Sequence, residues 1–184
     1  MNLLTRRDAL GGALALSLRG ALPAHGAPAA AAANGDFGFL MGSWTVQHHK
    51  LKSRLTGETG WWDFSGTTHA WPLMGGTANV DDNLLEDPSG VYRAVSLRRF
   101  DAATRRWSIW WLDGRGGPLE PPVTGGFDHG IGTFYADDTL RGLPIRVRFT
   151  WSGITAASAR WEQAFSPDAG VNWEVNWVMQ FRRA

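Results

Sequence analysis

Turn-forming residues recur about every ten to fifteen residues from Phe37 onward, and they separate short segments of strand character. Breaks of this kind lie at Thr56-Gly57, Gly75-Gly76 and Asp87-Pro88-Ser89-Gly90. No amphipathic helix of useful length interrupts the pattern, apart from a short turn at residues 36–41. About ten strands in sequence predict an all-β fold, either an up-and-down antiparallel barrel or a two-sheet sandwich. A barrel also removes exposed edge strands by closure, and its interior can hold one small ligand.

The composition agrees with a β fold and excludes several kinds of function. The chain has 11 Trp, 9 Phe and 23 Gly but no Cys. Trp and Phe favour strands and Gly favours turns, whereas the lack of Cys excludes disulfides and thiolate metal sites. A net charge of +1 gives no electrostatic footprint for nucleic acid. No apolar run is long enough to span a bilayer, so we expect neither a nucleic-acid partner nor an integral membrane segment.

Residues 1–29 have the composition of an export signal, with a charged start, a short apolar stretch and a tail rich in Pro and Ala. The pair Arg6 and Arg7 resembles a twin-arginine signal. An ordinary Sec signal and a frayed N-terminal helix are the alternatives. We therefore predict a signal segment outside the fold, a linker to residue 36, and one exported domain at 37–183 in the periplasm or outside the cell.

The start of the first strand carries a family resemblance. In "FGFLMGSWTV", Gly42-x-Trp44 follows a short turn, and this resembles the signature of lipocalins and the wider calycin group. The stretches "WPLMGGTANVDDN", "LRRFDAATRRWSIWWLD", "GTFYADDTLRGLPIRVRFTW" and "ARWEQAFSPDAGVNWEVNW" are similar to a bacterial, exported lipocalin-like family, and they cover nearly all of residues 37–183. The resemblance implies a lipocalin-like barrel in which Trp44 plugs one end. It implies no particular activity.

Strand alternation places His48 on the same face as Trp44 and Lys50. If Trp44 points inward, His48 does too, and we favour a hydrogen-bonded interior residue. The functional alternative is a ligand contact, or an axial haem ligand as in the distantly similar nitrobindin-type barrels. Because His69 and His129 lack metal-ligand spacing with His48, no metal site is predicted.

One face of "GTANVDDNLLE" is wholly polar and carries Asn79, Asp81 and Asn83. This face is either solvated, with the opposite face packed inside, or it lines a polar pocket. The second interpretation needs an inward arginine, because a buried carboxylate requires a partner. Arg98 is a separate candidate polar anchor for a ligand, since it shares a strand face with Tyr92 that could be internal.

Four more candidates come from tryptophan-rich strands. In "WSIWWLDGRGG", Trp111 and Asp113 share a face, and Asp113 ends the strand before a Gly-rich loop that carries Arg115. Asp113 could bind a ligand at a barrel mouth or simply start the turn. Trp161 and Trp177 lie on the apolar faces of the last two strands, where they would be core or would stack on a flat ligand.

The stretch "FSPDAGVNWEVNW" contains Ser166-x-Asp168-x-Gly170-x-x-Trp173, which resembles the Asp-box of sialidases. A single copy without a repeat predicts a hairpin turn between the last two strands rather than glycosidase activity. In the strand that follows, the face opposite the apolar one, which includes Asn176, is expected to be solvated.

These patterns favour an exported protein that binds a small apolar or aromatic molecule inside a Trp-rich barrel. The alternatives are an isomerase- or cyclase-type enzyme that uses His48 as a base with a carboxylate, and a packed structural barrel with no cavity and an exposed apolar patch. Haem is the one cofactor left open, and a homodimer is left open as well. The candidate ligand-binding residues are His48, Asp81, Arg98, Trp111, Asp113, Trp161 and Trp177.

Overall fold

The computed structural model describes residues 35–184, which form a closed antiparallel barrel of ten strands. Each strand pairs with the next one in sequence, and the first strand pairs with the last to close the barrel. The prediction of an up-and-down β-barrel is therefore confirmed, and the sandwich alternative is wrong. The predicted signal segment at 1–29 and most of the linker lie outside the described residues. The strands are β1 (Gly42–Leu51), β2 (Trp61–Leu73), β3 (Ala78–Leu85), β4 (Tyr92–Asp101), β5 (Arg106–Asp113), β6 (Val123–Asp128), β7 (Ile131–Leu140), β8 (Leu143–Ser152), β9 (Ser158–Ser166) and β10 (Glu174–Arg183), with 3₁₀ turns at Gly38–Leu40 and Met74–Gly76.

Aromatic side chains fill the end of the barrel at which β1 begins, which we call the closed end. The turn before β1 inserts Phe37 and Leu40, which are 1% and 0% exposed. The Phe37 ring packs edge-on against Trp107, with 4.9 Å between ring centroids, and lies 5.8 Å from Phe134. Trp44 is buried, and its Nε1 donates to the carbonyl of Leu40 at 2.7 Å. Trp44 therefore lies at the closed end, as predicted.

Side-chain burial alternates along most strands, as expected when one face is internal and the other solvated. In β1, Trp44, His48 and Lys50 are buried, whereas Thr45 and His49 between them are exposed. The same alternation runs along β3 and β4, and the inward face of β3 is the polar one that carries Asn79, Asp81 and Asn83.

The last strand breaks the alternation. A bulge between Val175 and Trp177 shifts its register against β9. Asn176, which was expected to be solvated, is 0% exposed, and its Oδ1 accepts a hydrogen bond from Gln163 Nε2 at 2.8 Å. The solvated assignment of Asn176 is therefore wrong, because an extra residue in one strand turns a neighbouring side chain to the other side.

The loop from β9 to β10 is the predicted hairpin turn. Ser166 Oγ accepts the Gly170 amide at 2.8 Å and donates to Asp168 Oδ1 at 2.7 Å. Asp168 Oδ1 also accepts the Asn172 amide at 2.8 Å, and Trp173 Nε1 donates to the Gly170 carbonyl at 2.9 Å. Hydrogen bonds from Asn172 and Ser166 lower the pKa of Asp168 to about 2. The Asp-box residues thus bond to one another and define the turn.

An apolar row crosses the outside of four strands. Trp71 on β2 is opposite Val80 on β3, which is opposite Leu97 on β4, which is opposite Trp110 on β5. Trp71 is 40% exposed and Leu97 is 36% exposed. The outer surface of the barrel is therefore not uniformly polar on this side.

Candidate functional site

A cavity of about 280 Å³ occupies the barrel interior above the closed end. It lies between the buried aromatic cluster and the opposite end of the barrel, which we call the mouth. Five residues that line the mouth are Lys50, Arg54, Tyr92, Asp113 and Arg115. The size suits one small ligand, which is the usual capacity of a barrel with so few strands.

Three of the predicted residues form one aromatic wall of this cavity. Trp111, Trp161 and Trp177 all line it, and Trp177 lies between the other two. The Trp177 ring meets the Trp161 ring edge-on at 5.7 Å and the Trp111 ring edge-on at 6.1 Å between centroids. The wall presents both ring faces and ring edges, which are the surfaces on which flat apolar molecules pack.

A buried ion pair joins β3 to β4 inside the barrel. Arg98 Nη2 donates to Asp81 Oδ2 at 2.5 Å, and the two residues are 3% and 2% exposed. Asp81 Oδ1 also accepts Asn83 Nδ2 at 2.6 Å and the Ser96 amide at 3.0 Å, while Arg98 Nη1 donates to Asn79 Oδ1 at 3.1 Å. The polar face of β3 therefore points inward and pairs with Arg98, and the solvated interpretation is wrong.

This ion pair forms a polar floor to the cavity. Arg98 Cζ lies 5.1 Å from the centroid of the Phe37 ring, which belongs to the closed end. Asp81 and Arg98 both line the cavity. Arg98 Nε is buried and has no hydrogen-bond partner within residues 35–184. The floor thus consists of two charges that pair with each other and are bonded to neighbouring polar groups.

His48 lies in the barrel wall rather than at the cavity surface. Its ring stacks on Phe64 at 4.5 Å, and its Nδ1 accepts a hydrogen bond from Trp177 Nε1 at 3.2 Å. Its Nε2 faces Gly66, where a Cβ atom would approach to 2.8 Å. Burial, aided by the Lys50 charge, lowers the pKa of His48 to about 4, so the ring is neutral at pH 7.

The position of His48 decides between its two interpretations. It is the hydrogen-bonded interior residue that the sequence favours, and it supports Trp177 from behind. Its Nδ1 is already occupied by Trp177 and its Nε2 points at the wall, so the ring offers no nitrogen to an iron centre in the cavity. The geometry gives no support to a haem site at this residue.

Asp113 ends β5 at the mouth and is bound by the loop that follows it. Its Oδ1 accepts the Arg115 amide and Arg115 Nε, both at 2.9 Å, and its Oδ2 accepts Arg115 Nη2 at 2.6 Å. These bonds from Arg115 lower the pKa of Asp113. Asp113 therefore starts the turn, and it also lines the cavity, so ligand binding by this residue stays a prediction.

The arrangement does not assemble an acid–base pair from the predicted residues. His48 is hydrogen-bonded to Trp177, while Asp81 pairs with Arg98 and Asp113 with Arg115. A general base must be within hydrogen-bond reach of its partner and of a substrate proton. Within residues 35–184, no hydrogen bond joins His48 to either carboxylate.

Comparisons with known proteins add no family assignment. No family model matches the chain, and no curated protein matches it. Among solved structures, the chain is similar to an S-type phycobiliprotein lyase from Guillardia theta, with a TM-score of 0.49 and 10% identity over 80% of this chain and 90% of that one. It is also similar to a redesigned β-barrel, with a TM-score of 0.41 and 11% identity over 83% of this chain and 95% of that one. The barrel assignment rests on the strand pairing of this chain itself, and membership of the lipocalin group stays a prediction.

Lys50 belongs to the site and was not among the predicted residues. Its Nζ lies 2.8 Å from Asp87 Oδ2 and 4.8 Å from the Trp177 ring centroid. Burial lowers the pKa of Lys50. Burial would raise the pKa of Asp87, but hydrogen bonds from Lys50 and Ser89 outweigh it and lower that pKa to about 2. The sequence did contain the information needed to predict it, because alternation puts Lys50 on the same face of β1 as Trp44 and His48.

Arg54 is the second residue that the sequence did not reveal. The alternating segment "SWTVQHHKLKSR" predicts a first strand that runs to Arg54, but β1 ends at Leu51 and Arg54 lies in the loop that follows. Its side chain lines the mouth, with Cζ 5.6 Å from the centroid of the Phe165 ring. Burial lowers the pKa of Arg54. A loop side chain has no periodicity that predicts its direction.

The described part of the chain limits two other site types. Across residues 35–184, no helix is long and apolar enough to cross a membrane. In the same residues, no group of three or more His, Asp or Glu side chains converges in a way that could hold a metal ion.

Proposed function

We propose that this protein is an exported binding protein whose barrel holds one small, largely apolar or aromatic molecule. The observation that carries the proposal is the cavity of about 280 Å³, which has a tryptophan wall and a hydrogen-bonded polar floor. Binding sites for small molecules are typically concave and mostly apolar, with a few polar groups that fix the orientation of the ligand. The cavity has this combination inside one rigid barrel.

The wall and the floor would have different tasks in binding. Trp111, Trp161 and Trp177 would contact the apolar body of the ligand and shield it from water. Asp81 and Arg98 would orient the ligand, because both residues line the cavity and are the charged groups of its floor.

The cavity also separates this proposal from the alternatives. A packed structural barrel predicts an interior filled by side chains, and the cavity argues against it. The outer apolar row fits that alternative, but the row does not account for an inward-facing cavity with charged residues at both ends. An isomerase or cyclase needs a base and an acid in reach of one another, and His48 is instead bonded to Trp177.

The neutral fluorescent probe N-phenyl-1-naphthylamine tests binding inside the barrel. Ala136 lines the cavity, so Ala136→Phe places a phenyl group in the ligand volume. Thr67 is exposed on β2, so Thr67→Phe adds the same group outside the barrel. We expect the wild type and Thr67→Phe to bind the probe with saturation, and Ala136→Phe to bind it at least about tenfold more weakly. Equal binding by the two variants would contradict a site in the barrel.

Export is proposed from the N-terminal sequence alone and has its own test. Replacing both Arg6 and Arg7 by Lys removes the twin-arginine feature while keeping the charge. We expect this variant to remain inside the cell as an uncleaved precursor, whereas an Arg19→Lys control is exported and processed. Cell fractionation with detection of both forms is the measurement. Normal export of the double variant would contradict the twin-arginine route.

A further inference from the structure

Arg54 at the mouth is a cation without a counter-ion. Its Nε is buried and has no hydrogen-bond partner, and its guanidinium forms no salt bridge with any residue of the range 35–184. The side chain lines the cavity and lies against the Phe165 ring. Arg54 is half-buried, so its charge faces the cavity with one N–H shielded from water and no carboxylate bound to it, an arrangement that needs a physical reason.

The other two cations of the mouth differ from Arg54 in this respect. Lys50 is paired with Asp87 at 2.8 Å, and Arg115 is paired with Asp113 at 2.6 Å. The three cations also repel one another. The Arg115 charge helps to lower the pKa of Arg54, and the charges of Arg54 and Arg115 help to lower the pKa of Lys50. Three cations thus converge on the mouth, and two of them already have a carboxylate partner.

The carboxylates near Arg54 either accept hydrogen bonds from other groups or are exposed to solvent. Glu174 is close enough to influence the Arg54 charge, but its Oε1 accepts the Leu55 amide at 2.8 Å. Glu120 and Asp138 also line the cavity, yet both are exposed to solvent and neither forms an ion pair with Arg54. The guanidinium therefore stays uncompensated although acidic residues surround the mouth.

The loop that carries Arg54 is held in place from both sides. Arg141 Nη2 donates to the Arg54 carbonyl at 2.8 Å, and the Leu55 amide donates to Glu174. Leu55 adopts a φ of +53°, a left-handed conformation that is unfavourable for a branched side chain. Contacts from two other parts of the barrel thus hold a strained residue directly beside Arg54. Strain kept by its surroundings is a common feature of binding sites.

We propose that the ligand of this barrel carries an acidic group, such as a carboxylate or sulfonate, which binds Arg54 at the mouth while its apolar body lies between the tryptophans. This inference rests on the proposed function, and it adds the chemical class and the orientation of the ligand. A planar guanidinium forms two parallel hydrogen bonds with such a group, and these charge-assisted bonds are the strong ones. Lys50 and Arg115 would add charge without giving up their own partners.

Two fluorescent probes that differ by one charged group test this proposal. N-phenyl-1-naphthylamine is neutral, and 8-anilinonaphthalene-1-sulfonate has the same aromatic body with a sulfonate added. If Arg54 binds the acidic group, the wild type should bind the sulfonate at least about tenfold more tightly than the neutral probe. The ratio of the two dissociation constants isolates the charged group, because the apolar contacts are shared.

Variants then assign that ratio to Arg54. Arg54→Gln should weaken binding of the sulfonate about tenfold or more and leave the neutral probe within about twofold. Arg148→Gln is the matched control, because Arg148 Nε is likewise buried without a partner, but its guanidinium stacks on Trp173 at 4.3 Å and does not line the cavity. Arg148→Gln should leave both affinities unchanged. Arg54→Lys should retain more sulfonate affinity than Arg54→Gln, since it keeps the charge but loses the planar pair of donors.

The outcomes separate this inference from the proposed function. If the neutral probe binds but the sulfonate binds no tighter, or if Arg54→Gln weakens both probes equally, the acidic ligand is wrong and binding in the barrel stands. If neither probe binds the wild type with saturation, the proposed function itself is overturned. If Arg54→Gln fails to unfold cooperatively, Arg54→Lys decides: it should bind the sulfonate more weakly than the wild type with the neutral probe unchanged, and unchanged sulfonate binding would overturn the acidic ligand.

Discussion

Asp81 and Asp82 are neighbours in sequence, and their side chains lie on opposite sides of the barrel wall. Asp81 is 2% exposed and pairs with Arg98 in the cavity floor. Asp82 points outward and pairs with Arg93, whose side chain is 62% exposed. Arg93 binds both oxygens of Asp82, whereas Arg98 donates one hydrogen bond to Asp81, but it is the difference in burial that decides what each pair contributes to stability.

Replacing Asp81 should be far more destabilising than replacing Asp82. Asp81→Ala leaves the Arg98 charge buried and unpaired, which we expect to lower the free energy of unfolding by about 3–5 kcal/mol. Asp82→Ala loses a solvated pair, and its effect should be much smaller. A double variant, Asp81→Leu with Arg98→Met, should recover most of the loss, because it removes both charges together. Urea denaturation of the three variants measures this, and equal losses for Asp81→Ala and Asp82→Ala would contradict it.

His48 should make stability depend on pH in the mildly acidic range. Its pKa falls from 6.5 to about 4 on folding, so the unfolded chain binds a proton at a higher pH than the native barrel does. The free energy of unfolding should therefore fall as pH drops from about 6.5 to about 4, by up to about 3 kcal/mol, and be fully present above that window.

A variant assigns this pH dependence to His48. His48→Gln should flatten the decrease between pH 6.5 and 5, whereas replacing the exposed His129 by Gln should not. Urea unfolding at several pH values is the measurement. If the two variants gave the same slope as the wild type, the titration of His48 would not be its source.

Single residues show what the sequence could reveal about the site. Strand periodicity grouped Asp81, Arg98 and Trp111 with the side chains on their own strand faces, but it left open which of these faces is internal. Periodicity also put Lys50 on the same face of β1 as Trp44 and His48. Its partner Asp87 could not be predicted, because only the fold brings that carboxylate to Lys50. The position of Arg54 at the mouth could not be predicted, because its loop is held by contacts from Arg141 and Glu174 rather than by a local sequence pattern.

The elements of the barrel were more predictable than the site. Turn residues and alternation place the strands nearly where they occur, since each strand packs one face inward on its own. The exception is β10, where the bulge beside Asn176 arises from pairing with β9 and has no local signal. Likewise, the strand character after Leu51 did not show that β1 would end there.

The turn before β1 should contribute strongly to stability although it is only three residues long. Phe37 precedes it, is 1% exposed and packs against three aromatic rings of the closed end. Phe37→Ala would leave a cavity there, and we expect a loss of about 3–5 kcal/mol. Val171→Ala, in a loop where Val171 is 78% exposed, is the control and should change little. Chemical denaturation compares the two, and a small loss for Phe37→Ala would mean that the closed end does not depend on this segment.

At the scale of the whole molecule, the barrel closes by pairing its first strand with its last. Thr45 and Arg182, which are hydrogen-bonded across this closure, are 137 residues apart in sequence. Such a contact forms late, because the entropy of a long loop must be overcome before the contact gives any stabilisation. We expect refolding from urea to take milliseconds to seconds, measured by stopped-flow fluorescence of the tryptophans. A dominant phase faster than a millisecond would contradict this topology.

Both ends of the described chain lie at the closed end. Arg183 donates to the carbonyls of Phe39 and Met41, and the amide of Ala184 donates to Ser43. The mouth, with Arg54, is at the other end of the barrel. A fusion partner, an affinity tag or a sensor chip attached after Ala184 would therefore leave the entrance facing bulk solution. The loops at the mouth can accordingly be altered without disturbing this point of attachment.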